Sequence, residues 1–83
     1  MYYIIKQEKT NELREGKTIS YIAKKIHYSR QYTSYIFNGL IKINESTIIK
    51  ILFELAKESK NVNDMLNEKG NDFAINYFFK KEN

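Results

Sequence analysis

Cysteine and proline are absent from this sequence of 83 residues, which has one histidine and three glycines. Without cysteine there is no disulfide and no thiolate nucleophile, and a metal site of Cys/His type is excluded. The glycines, Gly16, Gly39 and Gly70, stand far apart, so no glycine-rich phosphate loop is present. No carboxylates cluster as general acid–base pairs do. We therefore expect a protein that is not an enzyme and that has no metal site and no cofactor.

Long hydrophobic runs are missing as well. No apolar run approaches the roughly 20 residues that a membrane-spanning helix needs. The segment Met1 to Lys6 lacks the charged start and long apolar core of a signal peptide. We expect one cytoplasmic domain over residues 1–83 that makes no membrane contact, because the chain is long enough for one modest core only.

Acidic residues are missing from one long window of the sequence. Between Gly16 and Asn44 there is no Asp or Glu, whereas five basic residues are present: Lys17, Lys24, Lys25, Arg30 and Lys42. The rest of the chain holds nine basic and ten acidic residues. Basic residues without acids, interleaved with Tyr, Ser, Thr, Gln and Asn, are typical of a surface that binds a polyanion such as nucleic acid.

The spacing of apolar residues predicts a helical domain. We predict helices over residues 8–15, 18–26 and 30–38 and from 44 to about 59. Thr18 and Ser29 are suitable N-caps, as is either Asn44 or Ser46 for the long helix. Ile19, Ile22, Ala23 and Ile26 give the second helix one apolar face. The long helix has a main apolar face and a second stripe of Ile49, Phe53 and Ala56, and both faces are expected to be buried.

Residues 18–38 have the spacing of two helices joined by a tight turn. Ala23 is small where the second helix would cross the first. Four residues later the turn needs a left-handed backbone, and His27 is among the residues that adopt one when glycine is absent. Thr33 and Ile36 are in register to pack back on the first helix. The pattern therefore predicts a helix-turn-helix.

The C-terminal segment, residues 61–81, is open to two interpretations. Phe73, Ile75, Tyr77 and Phe79 alternate as in a strand, but the pairs Phe73/Tyr77 and Ile75/Phe79 also fit a helix. A fifth helix is slightly favoured. In the alternative, the N- and C-terminal segments form a small β pair, within one chain or between two. The segment serves to complete the core or to form a dimer.

The predicted helix-turn-helix resembles the Cro/repressor-type (Xre-like) family over about residues 8–58. The matching residues are Leu13-Arg14-Glu15, Ile22-Ala23-Lys24-Lys25, Ser29-Arg30, Ser34, Ile36-Phe37-Asn38-Gly39, Ile48-Ile49-Lys50-Ile51 and Leu55. The resemblance implies an all-α, compact domain of four or five helices of the lambda-repressor-like type. It implies that the helix over residues 29–38 enters the major groove, usually from a symmetric dimer.

The chain departs from the family pattern at three positions. Ile19 stands where family members often place a phosphate-gripping glutamine, Thr33 stands where a small apolar residue is usual, and the turn lacks its glycine. These differences affect the phosphate contacts expected at the start of the second helix, but not the expected fold.

Three sets of candidate functional residues follow from this interpretation. Candidates for base contacts are Arg30, Gln31, Ser34, Tyr35 and Asn38, because Arg reads guanine and Gln or Asn reads adenine. Candidates for phosphate contacts are Lys17, Ser29, Lys24, Lys25 and Lys42. The candidates for a dimer interface are the aromatic residues Phe53, Phe73, Tyr77, Phe78 and Phe79, which are more than one small core readily absorbs.

The leading hypothesis is a dimeric, sequence-specific regulator that binds double-stranded DNA, most simply a small repressor of a phage or mobile element. The alternative is a protein-interaction inhibitor on a helix-turn-helix scaffold, similar to an anti-CRISPR protein or an antitoxin, that binds a host or phage protein which handles nucleic acid. A third hypothesis is a non-specific architectural DNA binder. Each predicts a different response to DNA sequence and salt.

Overall fold

The computed structural model describes residues 1–82, which form a mostly helical domain with a small antiparallel sheet. The elements in chain order are β1 (Tyr2–Ile5), a 3-10 turn (Gln7–Lys9), α1 (Thr10–Arg14), α2 (Ile19–Ile26), α3 (Arg30–Phe37), β2 (Ile43–Asn44), α4 (Glu45–Ala56), α5 (Lys60–Lys69), α6 (Asn71–Phe78) and β3 (Phe79–Glu82). Within this part of the chain, no helix has the length and apolar content needed to cross a membrane.

Side-chain caps start the central helices where the sequence predicts them. The hydroxyl of Thr18 accepts a hydrogen bond from the backbone N–H of Tyr21 at the start of α2, and Ser29 caps α3 in the same way. At α4 the cap is Asn44, which resolves the choice between Asn44 and Ser46. A side-chain oxygen at this position satisfies one of the free N–H groups of the first helical turn.

Two predicted helix bounds are wrong. The predicted helix over residues 8–15 is divided into the 3-10 turn and the five-residue α1, and Glu15, the residue before Gly16, already has a left-handed backbone. The long helix α4 ends at Ala56 and does not reach Ser59. Ser59 instead caps α5, where its hydroxyl accepts from the N–H of Val62 at 3.1 Å.

The turn between α2 and α3 has the predicted left-handed residue. His27 has φ of 64° and follows the last residue of α2, and its N–H bonds to the carbonyl of Ala23. The next N–H, that of Tyr28, bonds to the same carbonyl at 3.1 Å. This geometry closes α2 and allows Ser29 to begin α3 two residues later.

Replacing His27 by Gly is expected to stabilise the protein slightly. A left-handed backbone costs an L-residue about 1–2 kcal/mol, and glycine removes that strain while it adds about 0.5–1 kcal/mol of unfolded-state entropy. The midpoint of thermal unfolding should therefore rise by a few degrees. The matched control is Lys24→Gly inside α2, which should destabilise by about 1 kcal/mol. Equal destabilisation by both variants would contradict this account of the turn.

The core is one cluster to which α2, α3 and α4 contribute together with β1, α5, α6 and β3. Of the residues predicted for the inner faces of α2, α3 and α4, Ile19 is only half-buried. The others are buried: Ile22, Ala23, Ile26, Thr33, Ile36, Phe37, Ile48, Ile51, Leu52 and Leu55. Thr33 is tolerated there because its hydroxyl donates to the carbonyl of Ser29 at 2.8 Å. The prediction that both faces of α4 are buried is wrong, because Ile49 and Ala56 are only half-buried and Phe53 is 48% exposed.

Both interpretations of the C-terminal segment are partly right. Residues 71–78 form α6, and the chain then continues directly into β3. The strand β1 lies at the centre of the sheet, antiparallel to β2 on one side and to β3 on the other, with Tyr2 opposite both Asn44 and Glu82. The β pair therefore forms within one chain, and β2 extends it to three strands.

Candidate nucleic-acid interface

The five candidates for base contacts lie along the outer face of α3. Thr33, Ile36 and Phe37 direct the opposite face of this helix into the core. The outer residues are Arg30, Gln31, Ser34, Tyr35 and the C-cap Asn38, of which Ser34 alone is half-buried and the others are exposed. One short helix thus presents a cation, two amides and two hydroxyls on one surface.

A shallow groove of about 510 Å³ runs between this face and the start of α2. Its lining residues are Ile19, Arg30, Gln31, Ser34 and Tyr35. None of them is acidic. Ile19, the first residue of α2, packs against the core and adds an apolar wall. The groove therefore combines a positive charge, hydrogen-bonding groups and apolar surface, which is the chemistry that reads base edges.

The polar side chains on α3 are paired with each other one turn apart. Gln31 Nε2 donates to Tyr35 Oη at 2.7 Å, and Asn38 Nδ2 donates to Ser34 Oγ at 3.0 Å. Residues at this spacing are neighbours on a helix surface. No described residue forms an ion pair with Arg30, so its guanidinium projects from the first turn of α3 without an acidic partner among residues 1–82.

Two phosphate candidates lie at the ends of α3. Ser29 is exposed at the N-terminus of α3, where its hydroxyl oxygen accepts the N–H of Tyr32 at 3.1 Å and its own proton is left to donate. Lys42 is exposed in the connector between α3 and β2. A helix N-terminus with free N–H groups favours anions, so Ser29 fits a phosphate contact by geometry as well as by chemistry.

None of the five phosphate candidates lines the α3 groove itself, and the other three lie near a different groove. Lys24 and Lys25 line a second groove, of about 550 Å³, together with Glu54 and Glu58. Lys25 Nζ lies 3.2 Å from a carboxylate oxygen of Glu58. Lys17 lies on the same side, with its Nζ 5.6 Å from the ring centre of Tyr21. The window that has no Asp or Glu in the sequence therefore has acidic residues beside it in the folded protein.

Glu58 joins these basic residues through Tyr21. The Tyr21 hydroxyl donates to both carboxylate oxygens of Glu58, at 2.9 and 3.0 Å. This hydrogen bond lowers the pKa of Glu58, and the hydrogen bond from Lys25 is the second cause. In turn, the hydrogen bond to Glu58 raises the pKa of Tyr21, and the one from Lys25 to Glu58 raises the pKa of Lys25. Glu58 therefore carries its full charge at neutral pH and offsets part of the positive charge of α2.

Sequence reasoning missed Glu54 and Glu58 because they lie outside the basic window, Glu54 in the last turn of α4 and Glu58 in the turn that follows it. No pattern in the sequence brings them to the basic residues, because this contact depends on how α4 packs on α2. Glu54 also approaches His27, with 3.8 Å between its carboxylate and the imidazole Nε2. The carboxylates thus border α2, whereas the α3 groove contains none.

Two of the five candidates for the dimer interface belong to the core instead. Phe78 is 2% exposed and Phe79 is fully buried, because α6 continues directly into β3 and places both rings inside the domain. Tyr77 is half-buried, and its hydroxyl donates to Glu12 at 2.9 Å. Phe53 and Phe73, at 48% and 47% exposed, are the members of this set that present large apolar surface.

The two exposed phenylalanines line separate grooves. Phe53 lies with Ala56 and Leu66 in a groove of about 350 Å³ whose border includes Asn63, Asn67 and Asn71. Phe73 lies in a groove of about 450 Å³ beside Tyr77, and the two rings stack with their centres 6.1 Å apart. The aromatic surface available to a partner is therefore smaller and more divided than the sequence indicates.

Comparisons of the chain with family models, with curated proteins and with solved structures found no match.

Proposed function

We propose that this protein is a sequence-specific regulator that binds double-stranded DNA and reads the major groove with α3. The observation that supports it most strongly is the outer face of α3, where base-reading side chains line a groove without any acidic residue. An α-helix with its side chains is about 10–12 Å across, which fits a major groove about 12 Å wide. The turn at His27 and the caps at Thr18 and Ser29 fix the ends of α2 and α3. This local geometry supports the proposal that the two helices form a helix-turn-helix of the lambda-repressor-like type.

Each outer side chain of α3 has a role in this proposal. Arg30 reads guanine through its N7 and O6 atoms, and Gln31 and Asn38 read adenine. Ser34 and Tyr35 lie between them, where Ser34 contacts a phosphate or a base edge and the ring of Tyr35 contacts a thymine methyl group. Ser29, Lys42 and Lys17 contact phosphates on either side of the groove and give an affinity that falls with salt.

The proposed active form is a homodimer. Helix-turn-helix proteins commonly bind two half-sites about 34 Å apart, one turn of DNA. The domain measures 32 × 31 × 22 Å, so two copies placed side by side have centres at about this separation. Phe53 supplies exposed apolar surface for the contact between them. In its simplest role the dimer is a small repressor from a phage or mobile element that acts at a nearby promoter.

Selection from a pool of random duplexes tests this function. The purified protein is incubated with the pool in about 100 mM salt, where phosphate contacts alone bind weakly. We expect enrichment of one motif, made of two inverted half-sites about one helical turn apart. A pool that stays unenriched after repeated rounds would contradict the proposed function.

The alternative, a protein-interaction inhibitor that binds a host protein, is favoured by one specific observation. Lys25 is paired with Glu58, so less positive charge is free for phosphates than the sequence indicates. An apolar groove at Phe53 is available for a protein instead. A stable complex with a protein, formed by a chain that selects no duplex, would support this second function.

Replacing Glu58 by Gln is expected to strengthen binding to non-specific DNA. The variant frees Lys25 to neutralise a phosphate, which steepens the dependence of log K on log salt by about 0.9 and raises the affinity by up to about eightfold at 0.1 M salt. Fluorescence anisotropy on a scrambled duplex at several salt concentrations measures both quantities.

The matched control for this prediction is Asp64→Asn. Asp64 forms an exposed ion pair with Lys60 at 2.7 Å on α5, so the control changes the net charge equally but releases a lysine outside the candidate interface. We expect it to change the affinity much less. Equal effects of the two variants would mean that Lys25 does not contact DNA.

A further inference from the structure

The amide of Gln31 is held in one orientation by its neighbour one turn later on α3. Gln31 Nε2 donates to the phenolic oxygen of Tyr35 at 2.7 Å. Both side chains line the α3 groove, and both are exposed on its open side. The contact therefore lies at the surface that the proposed function assigns to DNA, not inside the core.

The hydrogen bond determines what the amide has left to offer. A glutamine amide has two N–H donors and one carbonyl oxygen. With one N–H used by Tyr35, one N–H and the carbonyl oxygen of Gln31 remain. Adenine presents the matching pair in the major groove, with N7 as an acceptor and the N6 amino group as a donor. The remaining groups of Gln31 are therefore those that bind adenine in a bidentate manner.

Tyr35 is a suitable support for this amide. Its ring has only two rotatable side-chain bonds, so holding it in place costs little conformational entropy. The residue is 38% exposed, which leaves its hydroxyl at the surface beside Gln31. Because its oxygen accepts the hydrogen bond from Gln31, its own proton is left to donate elsewhere. A second pair, Asn38 and Ser34, repeats the arrangement at 3.0 Å, with the amide again as the donor.

We propose that Tyr35 is a positioning residue that orients the amide of Gln31 for adenine, so that the recognition site has an adenine opposite Gln31. This inference rests on the proposed function. The proposed function already assigns adenine to Gln31, and the inference adds the role of Tyr35, which acts through the side chain of Gln31.

The test compares adenine with 7-deazaadenine, which lacks the N7 acceptor, at one position of the selected DNA duplex. This position is the one at which the Gln31→Ala variant no longer prefers a particular base. Fluorescence anisotropy gives the ratio of the two affinities for wild type, Tyr35→Phe, Gln31→Ala and the double variant. We expect wild type to prefer adenine and Tyr35→Phe to lose about three- to tenfold of that preference, the range of one neutral hydrogen bond. In the Gln31→Ala background, the Tyr35 substitution should not change the ratio.

Tyr32→Phe is the matched control, since it removes a phenolic hydroxyl from the same helix at a half-buried position that packs on the core. It should leave the adenine preference unchanged. If Tyr35→Phe weakens binding to both duplexes equally, Tyr35 contacts a phosphate and the inference is overturned, while the proposed function stands. If wild type prefers no duplex sequence at all, both the function and the inference fail.

Discussion

The double variant Arg30→Ala and Gln31→Ala is expected to lose its preference for the selected duplex over a scrambled one. Each bidentate contact to a base contributes about 1–3 kcal/mol of discrimination, so removing two contacts should reduce the preference by at least about thirtyfold. Both residues are exposed on α3, so the fold should remain intact. Anisotropy titrations on the two duplexes measure the preference, and circular dichroism measures the fold.

The chain offers a closely matched control for this variant. Lys60 and Asn61 are the first two residues of α5, as Arg30 and Gln31 are of α3, and all four are exposed. The double variant Lys60→Ala and Asn61→Ala therefore removes a cation and an amide from an equivalent position on another helix. It should keep its sequence preference. If both double variants keep that preference, α3 is not the element that reads DNA.

Replacing Phe79 by Ala is expected to destabilise the domain severely. Its ring is fully buried, and truncation of a buried phenylalanine costs about 3–5 kcal/mol. In a domain of this size each kcal/mol lowers the melting temperature by about 4–8 °C, so we expect a fall of at least about 12 °C. Thermal unfolding followed by circular dichroism measures the change. A large fall would show that the C-terminal segment completes the core and does not serve dimer formation alone.

Phe53→Ala is the control for the C-terminal segment. Phe53 is 48% exposed, and its loss should change the free energy of unfolding by less than about 1 kcal/mol. It should instead weaken the proposed dimer, which analytical ultracentrifugation measures. A mild effect of Phe79→Ala together with loss of the dimer would mean that β3 packs on a second copy and not on its own chain.

Local signals in the sequence were sufficient for the central helices. The caps at Thr18, Ser29 and Asn44 and the left-handed residue His27 lie where they were predicted. Each of these features depends on residues within one or two helical turns, and short-range periodicity records such features well. The outer face of α3 follows directly, because a buried face of Thr33, Ile36 and Phe37 determines which residues remain outside.

Features that depend on residues distant in sequence could not be predicted. Whether Phe79 continues α6 or begins β3 is decided by pairing with β1 at the other end of the chain, and the residue pattern fits both. The contact of Lys25 with Glu58 depends on how α2 packs against the end of α4. Similarly, the exposure of Phe53 depends on how much of α4 its neighbours cover. The pattern of residue types along the chain does not show which of these distant residues lie close together in the fold.

The most direct test of the central claim is an anisotropy titration of the wild-type protein on its selected duplex and on a scrambled duplex, from about 50 to 200 mM salt. The account predicts a preference of about a thousandfold or more for the selected duplex, together with a steep fall in affinity for both duplexes as salt increases. Equal and weak binding to the two duplexes across this range would contradict the claim that α3 reads DNA sequence.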